Sequence, residues 1–164
     1  MHQKAIAVAN DRDVVYLYLQ YNIYNSEVPA SFLRSAPSIM AHTKCPPRAI
    51  HSYGLEECMT IVLTSEIGHG ATGVVHRGIL KPEPQDDVTP LDVVVKLAFN
   101  DEQREALKCE YEFYRCLKSK GVHQGIARAL GIFDDCEGCA CALVLLYAGI
   151  PISESPSKLS VSDR

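Results

Sequence analysis

The sequence predicts an α+β fold, with five strands and one main helix between an irregular N-terminal extension and a polar C-terminal tail. Three observations predict it. Apolar runs recur at 59–64, 74–81, 91–99, 126–133 and 141–147, the third strongly β-branched, bounded by glycine, proline or polar turn residues. One segment, 101–119, spaces its apolar residues by three and four, as a helix does. Between the first two runs lies Ile67-Gly68-His69-Gly70-Ala71-Thr72-Gly73, whose glycines suit a tight hairpin tip.

Composition narrows the function classes. A chain of 164 residues holds one domain, or a small domain plus a tail, and 47% hydrophobic with 22% charged residues is globular material. A net charge of −4, without a clustered Lys/Arg face, argues against nucleic acid as a partner. The first residues carry no secretory leader pattern, and no apolar run reaches membrane-spanning length. Seven cysteines, an odd number without a secretory signal, suggest reduced thiols, so an intracellular location in cytosol or nucleus is expected.

In chain order, residues 14–24 are rich in aromatic and β-branched residues and fit either a strand or a short buried helix, because periodicity does not separate the two. Their tyrosines suit half-buried packing better than a docking stripe. From Ser35 to Tyr53 the composition turns to Pro, Ser, His, Lys and Arg, which reads as a linker. The expected organisation is therefore an extension and linker over 1–54, a domain over 55–152 and a tail over 153–164.

The spacing G-x-G-x-x-G permits close approach of main-chain N–H groups to phosphates. It occurs both in dinucleotide-binding sheets, where a helix must follow at once, and in ATP-covering hairpins. Val74-Val75 with Gly78 and Pro82 make a poor helix and a plausible strand, which favours the hairpin; a glycine-rich turn with no ligand remains the alternative. His69 is then either a phosphate contact or a solvent-facing tip.

After a polar loop with three prolines comes the strand Leu91–Phe99, which carries Lys96. Asn100 with Gln103 offers an N-cap and capping-box pair, and Gly121 supplies a left-handed stop, so a helix should run to about Ser119. Glu110 falls within its apolar stripe of Ala106, Leu107, Phe113, Tyr114 and Leu117. A carboxylate on a helix's buried face needs a cation, and Lys96 is the candidate. Glu105 and Glu112 are the competing acids, disfavoured by helical phase.

This order of parts resembles the N-terminal lobe of a eukaryotic-type protein kinase over residues 58–150. Ile67-Gly68-x-Gly70-x-x-Gly73-x-Val75 is similar to the Gly-rich loop, and Val93-Val94-Val95-Lys96 to the V-A-I-K strand. The resemblance implies an open five-stranded antiparallel sheet with the helix packed on it, and ATP as the ligand. Gly68, His69, Gly70, Ala71, Thr72 and Gly73 would cover the phosphates, Lys96 would hold them, and Glu110 would orient Lys96. Val75 and Val94 would sandwich the adenine, Leu145 would be the gatekeeper, and main-chain groups of Leu146, Tyr147 and Ala148 would meet the base.

The departures matter equally. Phosphoryl transfer in that family needs a catalytic-loop Asp, an Asn and a metal-holding Asp, and 76–78 and 133–135 supply none of them. The chain is therefore expected to bind ATP without turnover by itself, with magnesium relevant only beside a larger lobe. A non-catalytic, pseudokinase-like interaction module is the alternative, with a protein partner covering the apolar surface that the larger lobe would otherwise cover. Cys136, Cys139 and Cys141 read as hairpin thiols in preference to a zinc site, which needs four ligands.

Overall fold

The computed structural model describes residues 14–21, 30–35, 57–81, 90–135 and 139–149. Its strands are β1 (Tyr16–Tyr21), β2 (Ala30–Arg34), β3 (Cys58–Gly70), β4 (Gly73–Lys81), β5 (Leu91–Ala98), β6 (Ala129–Asp135) and β7 (Cys141–Leu146), with α1 (Asp101–Ser119) between β5 and β6. Around the sheet the order is β1-β2-β6-β7-β5-β4-β3, and β3 returns to β1 to close a barrel. Every pairing is antiparallel except β1 with β3.

The expected open five-stranded sheet with an irregular N-terminal extension is therefore incorrect. β1 runs beside β3 with Tyr16 opposite Cys58 and Tyr21 opposite Leu63, while β2 lies along β6 with Phe32 opposite Asp135. An open sheet would leave the outer N–H and C=O rows of β3 and β6 unpaired, and the two extra strands satisfy them. Of the expected linker over 35–53 only Ser35 is among the described residues, and the tail over 153–164 lies outside them.

Closure sorts side chains by strand parity, since successive residues point to opposite faces. The barrel interior takes Leu17, Leu19, Phe32, Ile61, Leu63, Val93, Val95, Leu97, Phe133 and Val144, all essentially buried. Each such burial contributes about 1.5–3 kcal/mol relative to exposure. The other parity of β5 and β7, with Ala98, Cys141, Leu143 and Leu145, forms a second cluster with Ile132 and with Leu107 of α1. Between the clusters the sheet is one backbone thick.

Helix α1 begins and ends where its sequence dictates. The Asn100 side chain accepts from the N–H of Gln103 at 2.9 Å, and Gln103 accepts from the N–H of Phe99 at 3.1 Å. At the far end Gly121 takes a φ of +74°, Gly121 N–H donates to the Lys118 carbonyl and Val122 N–H to that of Leu117, each at 3.0 Å. That pair of bonds is a Schellman stop. Arg104 ties the helix to β6 through Asp134 at 3.2 Å, and Asp134 accepts from Ser35 Oγ at 2.6 Å. Among the described residues, no helix is long and apolar enough to cross a membrane.

Candidate functional site

β5 places Lys96 against α1. Val93, Val95 and Leu97 face the interior, so Val94 and Lys96 point outward, towards α1. Lys96 Nζ lies 2.6 Å from Glu110 Oε1, and the two side chains are 24% and 23% exposed. The same carboxylate oxygen accepts from Tyr114 Oη at 3.2 Å, one helical turn on. Burial, then the Glu110 charge, raises the Tyr114 hydroxyl pKa, so Tyr114 stays a neutral donor. An ammonium carries three N–H donors, and this contact uses one of them.

The glycine hairpin sits beside this pair. Gly70 opposes Gly73 across the two-residue turn Ala71-Thr72, and Val75 lies directly opposite Lys96 on β5. Gly73 is required by the fold: its φ is +117°, and a Cβ there would stand 2.0 Å from the Leu97 carbonyl oxygen. Gly68 and Gly70 are different. A Cβ at Gly68 would meet nothing within 4 Å, and at Gly70 only the Thr72 nitrogen at 4.0 Å, so packing gives no reason for either glycine. Ile67 is half exposed, and His69 leans back to Glu66, Nδ1 to Oε1 at 2.8 Å, at an exposed position.

At the other end of the same face Leu145 is buried in the cluster with α1, cross-strand from Val94. Leu146 takes the interior parity, and its N–H donates to the Arg128 carbonyl at 2.8 Å. The Tyr147 N–H donates to the Asp92 carbonyl at 3.1 Å, while Ala148 is exposed. The structure thus gathers Gly73, Val75, Val94, Lys96, Glu110 and Leu145 on one face. It commits two of the expected base-binding N–H groups to the protein's own carbonyls.

Three contributors escaped the sequence analysis. Arg77, opposite Val94, pairs with Asp92 at 2.8 Å and lays its guanidinium 4.4 Å from the Tyr147 ring centre. Tyr114 braces Glu110. The signals were available: Arg77 lies two residues from Val75, Asp92 two from Val94, and Tyr114 four from Glu110, so strand and helix parity put each on the site's face.

Among the described residues no group of His, Cys, Asp and Glu is arranged to hold a metal ion. Burial, with Asp134 adding, pushes the Cys141 thiol up to about 12, which makes it inert, and Cys139 is exposed. Cys136 lies outside the described residues. No protein-family model and no curated protein sequence matches the chain.

Proposed function

We propose that the outer face of β4 and β5, beneath the glycine hairpin, binds the phosphates of ATP, and that the chain is the nucleotide-binding part of a protein-kinase-like phosphotransferase. The observation that carries this reading is the ammonium of Lys96 held 2.6 Å from Glu110, directly across from Val75. It is supported by Gly68 and Gly70, whose missing side chains no internal contact explains and whose backbone an anion could approach. In this arrangement Lys96 supplies charge to the phosphates, Glu110 and Tyr114 hold Lys96 in place, and Val75 with Val94 offers an apolar bed for a flat base. No transfer step is assigned to the described residues.

The second reading is a non-catalytic interaction module. It is favoured by Arg77, which lies over Tyr147 and pairs with Asp92 where the base would rest, and by the committed N–H groups of Leu146 and Tyr147.

One experiment separates the two. An acyl-phosphate derivative of ATP should acylate Lys96, ATP should protect it, and Lys96→Met should lose the labelled peptide. In parallel, ATP at 100 times its Kd should stabilise the folded chain by about 2.7 kcal/mol, seen as a raised melting temperature. Equal labelling with and without ATP, together with an unmoved melting temperature, would leave the interaction module as the function.

A further inference from the structure

The face of α1 turned away from the buried Leu107 is unusual for a solvent-facing helix surface. Along it, one line runs through Glu105, Cys109, Phe113, Cys116 and Lys120, spaced by three and four residues and all exposed. Phe113 is 61% exposed, the most exposed large apolar side chain among the described residues. An acid, Glu105, which also pairs with Lys108 at 3.7 Å, starts the line, soft apolar groups fill its middle and a cation ends it.

That order is self-complementary when reversed. Cys109 and Cys116 are equidistant from the midpoint between Glu112 and Phe113, and so are Glu105 and Lys120. A second copy of α1 laid antiparallel across that midpoint would set Cys109 against the partner's Cys116 and Glu105 against the partner's Lys120. A two-fold axis through the midpoint repeats each pairing. Glu112 lies beside the axis, with its charge offset by Arg115 at 2.9 Å. The antiparallel arrangement also opposes the two helix dipoles favourably.

We propose that this face of α1 is a homodimer interface, in which a second copy of the chain docks antiparallel with Phe113 at its centre. A helix of 19 residues is about 28 Å long, which makes for a small interface and weak, reversible association. Phe113 lies one helical turn from Glu110, so the interface adjoins the Lys96–Glu110 pair along one flank.

Sedimentation equilibrium of the reduced full-length chain at concentrations on the order of 100 µM tests it. The expected result is a dimer of twice the 18.1 kDa chain mass. Phe113→Glu should give a monomer with unchanged melting temperature. Glu105→Lys and Lys120→Glu should each weaken association roughly ten-fold, and the double exchange should restore it. A short bis-maleimide should link Cys109 of one copy mainly to Cys116 of the other. A monomer at all concentrations, no recovery in the double exchange, or a preponderance of Cys109–Cys109 links would overturn the proposal.

Discussion

The two sides of β5 are built from adjacent residues and obey different rules. Leu97, one residue from Lys96, is 1% exposed inside the closed seven-stranded barrel. Lys96 lies on the outer side under a single helix, about a quarter exposed, with a carboxylate and a phenol within reach. The inner face is closed on every side by the sheet itself, and only apolar side chains fill it cheaply. The outer face is covered in the middle by α1 and left open towards the hairpin. A half-covered face can hold a charge without the full desolvation cost, and a functional group needs that compromise.

Three perturbations sharpen the contrast. The largest is Leu97→Ala, which leaves a cavity in the closed core and should cost about 2–5 kcal/mol in denaturant unfolding, while ATP protection of Lys96 persists under folding conditions. A loss below about 1 kcal/mol would show that the barrel interior is loosely packed.

An intermediate effect comes from His76, the one buried polar or charged residue among the described residues, 4% exposed with Nδ1 unpartnered. Val95 and Glu66 are its cross-strand neighbours, and burial lowers its pKa, with Glu66 opposing and His69 adding to the shift. The folded state therefore resists protonation while the unfolded chain accepts a proton near its ordinary value of about 6.5. Stability should be fully present above that pH and fall as the pH drops from about 7 to 5. In a melting series His76→Leu should flatten this slope, and an unchanged slope would assign it to other groups.

The smallest effect separates the glycines. Gly68→Ala adds a methyl to open space and should change stability by no more than about 0.5 kcal/mol, yet weaken ATP binding if the hairpin covers phosphates. Gly73→Ala must move the Leu97 carbonyl and should unfold measurably earlier. Equal melting shifts for the two variants would mean that the hairpin tip is not held against β5 as described.

Much of the half after Tyr53 was legible because its signals are local. The strands around Ile61, Val75, Val94, Ile132 and Val144, the cap at Asn100 and the stop at Gly121 follow from residues within a few positions of one another. The pairing of Lys96 with Glu110 was legible too, since helical phase put Glu110 on the helix's buried face, where a carboxylate needs a cation, and Lys96 was the candidate. β1 was ambiguous between strand and helix, and the short β2 gave no periodic signal. Nothing in either named β3 or β6 as its neighbour.

By itself the sequence determined most elements after Tyr53, the caps of α1 and the pairing of Glu110 with Lys96, because side-chain periodicity and capping act through the chain's own neighbours. Only the tertiary structure decided that the sheet closes, that β1 lies parallel to β3, and that Gly73 serves the fold while Gly68 and Gly70 do not. The reason is physical. Backbone N–H and C=O groups are the same in every strand, so which edges meet depends on non-local packing, and a glycine's purpose depends on what stands where its side chain would be.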